Sequence, residues 1–344
     1  MTTAGIDFLL LAGKEDIYYL SGFYGSRALA LVTVDSAFLC VDFRYTEQAE
    51  NQASACELIG SPGVLCSRLK DQLAAAKTKK VHFDPNGMSY LGYAELVEAL
   101  PGCEVLPAEQ MVRRLRAVKD SSEIALIAQA QQLAEASYIK VISSAPCGCT
   151  ERALAADMDC AMLQDGADKP AFDTIVAAGA RSSMPHASAG DDLICHDDGI
   201  VIDWGARRNY YNSDTTRTVF YGNPDPRLNE IYDIVLQAQM MALEAARPGM
   251  LCCELDDIAR KYIESRGYGD CFGHGLGHGV GLEVHEAPIV NPASREVLEP
   301  GMVVTVEPGI YLPGVGGVRI EDLVLITENG IRNLTGLSKD RIIM

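Results

Sequence analysis

The sequence has little positive charge. Its 29 lysine and arginine residues stand against 47 aspartate and glutamate residues, which leaves a net charge of −18 at pH 7. A nucleic-acid-binding surface needs clustered basic residues, and anionic lipid surfaces attract the same residues. We therefore expect neither nucleic acid nor a membrane surface as a partner.

The cysteines follow no recognisable pattern. There are 11 of them, an odd number, and no two are separated by two residues as they are in zinc-binding motifs. Such cysteines are expected to be reduced and mostly buried. The N-terminal segment lacks the basic region of a signal peptide, and no apolar run reaches the roughly 18 residues of a membrane span. We therefore expect a cytoplasmic protein.

Apolar residues make up 48% of the 344 residues, enough for two domains with cores of their own. In the first part of the chain, 27–45 predicts two strands joined by a turn, and 80–87 predicts a strand that ends in a Pro-Asn-Gly turn. The segments 47–59 and 89–100 predict helices. We therefore predict a small α/β domain over residues 1–115.

A second domain is predicted over residues 116–344. Ser121 or Ser122 is placed to cap a long helix whose apolar residues continue to 142. Three further segments have a helical pattern: 151–164, 227–246 and 254–266. Short apolar segments between and after them predict strands: 174–179, 199–205, 215–222, 302–312 and 317–327.

Histidine is scarce, and three of the six histidines lie in one stretch, "CFGHGLGHGVGLEVHEAP", over 271–288. Five glycines are interspersed with them. Glycine costs a helix interior about 1 kcal/mol per residue, but it lets the backbone bend sharply or approach another group closely. Histidine is a common metal ligand and general acid or base. The stretch therefore suggests a site, which histidines alone do not define.

Two predicted hairpins carry acidic residues where buried strands are expected. If the first hairpin turns at Arg208–Asn209, Asp203 lies opposite Asp214. If the second turns about Gly314, in a loop rich in glycine and proline, Glu307 lies opposite Glu321. A bulge would shift either register by one residue. Within each pair, both carboxylates are predicted to face the same side.

Four carboxylates on largely apolar strands need a physical reason. Two carboxylates about 4 Å apart repel each other by about 4 kcal/mol at an effective dielectric constant near 20. Protonation, partner arginines or bound cations would each relieve this repulsion. Two aspartates, two glutamates and a neutral histidine together suit a pair of divalent ions.

In chain order, the four carboxylates and His278 resemble the metal-binding set of the pita-bread metallopeptidases, a family that includes methionine aminopeptidase, aminopeptidase P and prolidase. The segments "FGHGLGHGVGLEVHEAP" and "VEPGIYLPGVGGVRIED" resemble the histidine and glutamate segments of the branch that cleaves Xaa-Pro bonds. "TIVAAGARSSMPHA" resembles the segment that ends in a substrate-side histidine, and "RRLRAVKDSSEIALI" resembles the start of the catalytic domain. "DIYYLSGF" resembles a feature of the creatinase N-terminal domain. The resemblance implies an α+β pita-bread domain preceded by a smaller α/β creatinase-type domain.

The resemblance also implies a role for each residue of the site. It implies two divalent ions, Mn being expected and Co, Zn or Fe being alternatives, with these ligands: Asp203, Asp214, His278, Glu307 and Glu321. Glu307 would also take and return a proton. Substrate contacts are implied for three histidines: His186, His274 and His285. Arg319 would pair with a metal-bound carboxylate, and we expect His82 and His196 to be structural.

The implied activity is hydrolysis of the Xaa-Pro bond at the N-terminus of a proline-containing peptide, by an Xaa-Pro aminopeptidase that forms a homodimer. The alternative is an Xaa-Pro dipeptidase (prolidase), which must recognise the free carboxylate that follows proline. The sequence has no basic cluster near the site beyond Arg319, and this favours the aminopeptidase. More distant alternatives are a metal-free creatinase-like hydrolase and a non-catalytic binding protein on the same fold. Both are expected to lack some of the five ligands.

Overall fold

The computed structural model describes residues 1, 5–59, 79–108, 111–143 and 148–344. They fall into two compact units, Met1–Leu115 and Arg116–Met344. Within the described ranges, no helix combines the length and the apolar character that crossing a membrane requires.

The first unit is built on one mixed six-stranded sheet. Its strands are β1 (Phe8–Leu11), β2 (Ala28–Thr33), β3 (Ala37–Val41), β4 (Glu57–Leu58), β5 (Lys80–Phe83) and β6 (Glu104–Pro107). They lie in the order β4-β3-β2-β1-β5-β6, in which β2 is antiparallel to both of its neighbours and the other pairs are parallel. Leu10 of β1 packs in one hydrophobic core, and Leu9 and Leu11 pack in another. Because alternate side chains point to opposite faces, both faces of the sheet are buried.

Helices lie between these strands in the chain: α1 (Lys14–Ser21), α2 (Thr46–Gln52) and α3 (Tyr90–Ala99). A further helix, α4 (Met111–Ala117), follows β6 and ends just beyond the boundary between the units. The two strands predicted within 27–45 are confirmed. The helix predicted over 47–59 is too long, since α2 ends at Gln52. Glu57–Leu58 instead forms β4, because it pairs in parallel with Phe38–Leu39.

The second unit contains the helices α5 (Ser121–Ile142), α6 (Glu151–Gln164), α7 (Pro226–Ala245) and α8 (Cys252–Ser265). All four were expected from the sequence pattern, but the cap of α5 is Asp120 and not Ser121 or Ser122. The Asp120 carboxylate accepts hydrogen bonds from the backbone N–H groups of Ser122 and Glu123. The Glu123 side chain in turn accepts one from the backbone N–H of Asp120. This reciprocal pair satisfies the helix terminus without a serine cap.

The strands of the second unit form four sheets. They are β7 (Lys169–Pro170), β8 (Ile175–Ala178), β9 (Gly199–Trp204), β10 (Ala206–Arg208), β11 (Tyr211–Asn212), β12 (Thr215–Phe220), β13 (Gly277–Gly279), β14 (Glu286–Val290), β15 (Val303–Val306), β16 (Gly309–Leu312), β17 (Gly316–Arg319), β18 (Asp322–Thr327) and β19 (Gly330–Asn333). The sheets have the orders β11-β10-β7, β12-β9-β8, β14-β13-β15-β18-β19 and β16-β17.

Two hydrophobic cores divide the second unit into halves that each contain helices and sheet. In one core, α5 and α6 pack against the β12-β9-β8 sheet, and the rings of Tyr138 and Trp204 stack with centroids 4.4 Å apart. In the other, α7 and α8 pack against the five-stranded sheet and the β16-β17 pair. Asp203 and Asp214 belong to the first half, while the other acids of the predicted site belong to the second.

The register of one acidic hairpin differs from the prediction. Asp203 pairs with Thr216 and not with Asp214. The hairpin turns one residue later than expected, at Asn209–Tyr210, where both residues adopt a positive φ as a tight two-residue turn requires. Side chains along a strand alternate between its two faces, so a change of two residues in the register leaves each side chain on its original face. Asp203 and Asp214 therefore still line the same cavity.

The register of the second acidic hairpin is confirmed. Val306 pairs with Asp322 on one side, and Gly309 pairs with Arg319 on the other. Glu307 and Glu321 lie between these pairs, at the same level of the hairpin. They interrupt its ladder where β15-β18 gives way to β16-β17. Their side chains are therefore presented together at a break between two strand pairs.

Glycine is required where β13 passes its neighbours. A Cβ atom on Gly277 would overlap the carbonyl oxygen of Thr305 in β15, and one on Gly279 would overlap that of Ala287 in β14. A Cβ atom on Gly273, in contrast, would meet no atom within 4 Å. The close approach predicted from the glycine-rich stretch is thus confirmed for Gly277 and Gly279.

A buried ion-pair cluster ties the start of the second unit to β14. Glu286 Oε2 lies 2.6 Å from Arg116 Nη2, and Glu286 Oε1 lies 2.8 Å from Lys119 Nζ. All three residues are buried. Burial raises the pKa of Glu286, but the charges of Lys119 and Arg116 outweigh it and hold that pKa below its usual value.

We expect Glu286→Gln to lower the free energy of unfolding by about 3 kcal/mol at neutral pH, because it leaves buried Lys119 without its carboxylate and Arg116 with only the half-exposed Glu283 at 2.7 Å. Folding lowers the pKa of Glu286, so its stabilising effect is complete above the unfolded-state pKa of about 4.3 and is lost as the pH falls through the folded-state pKa. Urea unfolding over a range of pH should show the gap between variant and wild type closing in acid. A gap that does not change with pH would contradict this assignment.

Gly277→Ala should lower the free energy of unfolding by about 1–3 kcal/mol, because the new methyl group forces β13 away from β15. Gly273→Ala is the matched control in the same stretch, and it should change the free energy by less than about 0.5 kcal/mol. Urea unfolding of both variants measures the difference. Equal effects of the two substitutions would show that β13 does not need a glycine at 277.

Candidate metal centre

One cavity of about 870 Å³ in the second unit gathers the predicted site. It is lined by all nine predicted site residues: His186, Asp203, Asp214, His274, His278, His285, Glu307, Arg319 and Glu321. The two histidines expected to be structural, His82 and His196, do not line it. The sequence therefore identified residues that the fold brings together from both halves of the second unit.

Three of these residues form the compact centre of the site. Ligand atoms of Asp214, His278 and Glu321 all lie within 4.8 Å of one another, and all three residues are buried. His278 Nδ1 donates a hydrogen bond to the carbonyl oxygen of Gly279 at 3.1 Å. This bond fixes the ring and directs Nε2 toward the carboxylates, as in a histidine that binds metal through Nε2.

The other two acids lie against this centre. Glu307 Oε1 is 3.3 Å from His278 Nε2, while Asp214 Oδ2 is 3.6 Å from the same nitrogen. Asp203 Oδ2 accepts a hydrogen bond of 2.7 Å from Arg319 Nη2. Its other oxygen, Oδ1, is buried without a hydrogen-bond partner. The nearby Thr216 hydroxyl is not available as a donor, because its proton goes to Glu321 Oε2 at 2.7 Å.

Positive charge is too scarce at this site to balance four carboxylates. Burial, together with the neighbouring acids, raises the pKa of Asp214 and of Glu321 well above the usual carboxyl range. Burial also raises the pKa of Asp203, even though Arg319 opposes the shift. A bound divalent cation would supply the missing charge and a partner for the free oxygen of Asp203. The oxygen and imidazole donors are those that Mn, Co, Zn and Fe accept.

Glu307 and His278 share a strong interaction. Burial raises the pKa of Glu307, but the hydrogen bond and charge of His278 outweigh it and lower that pKa to about 2. Burial alone would lower the pKa of His278, but the hydrogen bond and charge of Glu307 outweigh it and raise that pKa above its usual value. Glu307 Oε1 also accepts a hydrogen bond from the Thr305 hydroxyl at 3.2 Å. Glu307 is therefore ionised at neutral pH.

Arg319 and Tyr311 link the acids to His274. Arg319 donates to the Tyr311 hydroxyl at 2.9 Å as well as to Asp203. His274 Nδ1 donates to the carbonyl of Gly275 at 2.7 Å, which leaves Nε2 to accept from the Tyr311 hydroxyl at 2.9 Å. Both ring nitrogens of His274 are thus engaged by the protein. Sequence reasoning missed Tyr311, since a tyrosine in a strand four residues after Glu307 is also an ordinary core residue.

His186 and His285 present their rings to the cavity from different elements. His186 lies in the segment between β8 and β9, and His285 lies directly before β14. The register of β13 shifts at His278–Gly279, and the ring centroids of His278 and His285 lie 4.2 Å apart. Burial and the charge of His278 lower the pKa of His285. His285 is therefore neutral at neutral pH and has an N–H group to donate.

Comparison with known proteins assigns both units to families. Residues 125–328 match the model of metallopeptidase family M24, and residues 1–118 match that of the creatinase/prolidase N-terminal domain. The Xaa-Pro dipeptidase of Pyrococcus furiosus is 40% identical over 341 residues, which cover 99% of this chain and 96% of that protein.

Solved structures agree over almost the whole chain. An Xaa-Pro dipeptidase from Bacillus anthracis is 39% identical with a TM-score of 0.96, covering 100% of this chain and 96% of that one. An X-Pro aminopeptidase from Thermotoga maritima is 36% identical with a TM-score of 0.90, covering 99% and 98%. The predicted α+β pita-bread fold with a creatinase-type N-terminal domain is therefore confirmed. The chain belongs to metallopeptidase family M24.

Proposed function

We propose that the protein is an Xaa-Pro dipeptidase. The observation that carries the proposal is the set of four carboxylates and His278 in one cavity, in a chain that relatives named Xaa-Pro dipeptidase match almost end to end. The sequence alone favoured the aminopeptidase. The names of the similar curated proteins and of several similar structures favour the dipeptidase instead.

We propose two divalent ions, Mn²⁺ first among them, as the cofactor. The five expected ligands would hold them: Asp203, Asp214, His278, Glu307 and Glu321. Bound there, such ions polarise the scissile carbonyl and make water a nucleophile near neutral pH. The proposal is supported by the free oxygen of Asp203 and by the raised pKa values of the neighbouring acids. Four acids and one histidine offer enough donor atoms for two ions.

The remaining cavity residues would handle protons and orient the peptide. Glu307 is anionic at neutral pH, so it can accept a proton from the nucleophile and return it to the leaving nitrogen. That nitrogen belongs to proline and has no hydrogen of its own. His186 and His285 have ring nitrogens that face the cavity and can donate to the developing oxyanion. Arg319 would hold Asp203 in place and leave Oδ1 free for an ion.

An Xaa-Pro aminopeptidase is the second candidate, and the composition of the cavity favours it. Arg319 and Arg152 are the two basic residues among the described residues that line it. Arg319 uses four of its five N–H groups within the protein, because it donates to Thr216, Pro185, Tyr311 and Asp203. Arg152 is largely exposed and pairs with Asp191 at 2.9 Å. Neither arginine that lines the cavity is therefore placed to bind the free carboxylate of a dipeptide.

Removal of metal should abolish hydrolysis of Ala-Pro, and Mn²⁺ or Co²⁺ should restore it. Asp214→Ala should lower bound metal and reduce kcat/KM by more than about a hundredfold, because loss of a ligand exceeds the 10–100-fold cost of losing an outer partner. Asp257→Ala, which removes an exposed carboxylate from α8, is the control and should match wild type. Full activity in the metal-free enzyme would contradict the proposal and favour a creatinase-like hydrolase. Absence of activity in the metal-loaded enzyme would favour a binding protein.

Substrate length separates the two candidate activities. A dipeptidase should cleave Ala-Pro with a kcat/KM at least about tenfold higher than Ala-Pro-Ala, since the charged carboxylate contact is worth about 1.5–3 kcal/mol. Steady-state kinetics on Ala-Pro, Ala-Pro-Ala and a longer Ala-Pro peptide make the comparison. Equal or better cleavage of the longer peptides would make the protein an aminopeptidase.

A further inference from the structure

A buried carboxylate at the start of α6 holds both ends of the segment that carries His186. The Glu151 side chain is completely buried. Its Oε1 accepts a hydrogen bond of 2.9 Å from the backbone N–H of Ala178, at the end of β8. Its Oε2 accepts one of 3.0 Å from the backbone N–H of Gly190. One side chain therefore fastens the segment 179–189 at its entry and at its exit.

Arg181, which lies within this segment, binds both Glu151 and the backbone near His186. Its Nε donates to Oε1 and Oε2 of Glu151 at 3.1 and 3.0 Å. Its Nη2 donates to the carbonyl oxygen of Ser188 at 2.8 Å, two residues after His186. The Glu151–Arg181 pair thus binds the segment at both ends and close to the histidine itself.

His186 depends on its backbone for its position. Its ring faces the cavity and forms no hydrogen bond to any residue in the described part of the chain. The preceding residue, Pro185, is held through its carbonyl oxygen by Arg319 Nη1 at 3.1 Å. The imidazole is therefore aimed by the bonds that fix the backbone on either side of it, and the Glu151–Arg181 pair supplies those to Ala178, Ser188 and Gly190.

The other half of the unit contains a pair of the same chemistry. Asp256, whose side chain is completely buried in α8, accepts hydrogen bonds from Arg260 at 2.6 and 2.9 Å and from the backbone N–H of Leu276 at 2.9 Å. Arg260 donates to the carbonyl oxygens of Phe272 and His274 at 2.9 and 2.7 Å. A helix acid and an arginine thus hold the backbone of a histidine segment in each half.

We propose that Glu151, acting with Arg181, is a positioning residue for His186 in peptide hydrolysis, a role that rests on the proposed function. Neither residue of the pair needs to touch substrate. The pair acts by keeping the His186 ring where it can reach the reacting carbonyl, and a misplacement of about 1 Å at such a group costs up to about a hundredfold in rate.

The test is a double-mutant cycle with Glu151→Gln and His186→Ala. The glutamine amide donates where Glu151 accepted, so it releases one end of the segment. We expect Glu151→Gln to lower kcat on Ala-Pro by about tenfold to a hundredfold while KM changes little. In the His186→Ala background the same substitution should cost less than about twofold, because the group it positions is gone. Additive losses in the cycle would overturn the proposal.

Asp256→Asn is the matched control, because it removes a buried acid of the same kind that holds a different histidine. Its effect should remain the same in wild type and in His186→Ala. If Glu151→Gln does not fold, Arg181→Lys removes the paired bonds and the bond to Ser188 from a residue that is one-third exposed. The same cycle then applies to it.

Hydrogen exchange separates this proposal from the proposed function. Mass spectrometry of Glu151→Gln should show faster amide exchange over 178–190 than in wild type, with 272–276 unchanged. Faster exchange with an unchanged kcat would mean that the pair is only structural, and that result would overturn the positioning role. If wild type cleaves no Xaa-Pro peptide, the proposed function fails. Unchanged amide exchange over 178–190 in Glu151→Gln would instead show that Glu151 does not hold this segment, whatever the substrate is.

Discussion

The clustering of four buried or partly buried carboxylates around one histidine is the constraint on which the rest of the second unit depends. Asp203, Asp214, Glu307 and Glu321 share a cavity with His278, where their like charges repel one another. The single guanidinium of Arg319 contacts only Asp203 among them. Such an arrangement is stable only if protons or cations balance the charge. In a member of metallopeptidase family M24, divalent cations are the natural balance.

The fold presents these acids by interrupting its own strands. Glu307 and Glu321 lie at the same level of one long hairpin, between two strand pairs, and Asp214 lies directly before β12. His278 reaches them because Gly277 and Gly279 let β13 pass close to the backbones on both sides. This close approach answers why three histidines share a stretch so rich in glycine. The glycines bring one histidine to the acids, and the bulge at 278–279 lets a second, His285, follow it.

Much of the site was predictable from the sequence because it depends on residue type and chain order. The pairing of Glu307 with Glu321 followed from counting residues outward from the turn at Gly314. The set of metal ligands followed from the resemblance to a known family. The register of the first hairpin was not predictable in the same way, because its two-residue turn can form at either of two neighbouring positions. It forms at Asn209–Tyr210 and not at Arg208–Asn209. Tyr311 and Glu151 escaped notice for another reason. Each contacts residues far from it in the chain, and only the folded backbone brings those partners near.

The central claim is that this cavity is built to bind divalent cations. Differential scanning calorimetry of the chelator-treated protein, with and without Mn²⁺, tests it without any assumption about the substrate. Ions that bind the folded state alone raise its stability by about 2.7 kcal/mol at a hundred times the dissociation constant. The melting temperature should therefore rise with Mn²⁺ concentration in wild type, and should rise much less in Asp214→Ala. An identical melting temperature with and without the ion in wild type would contradict it.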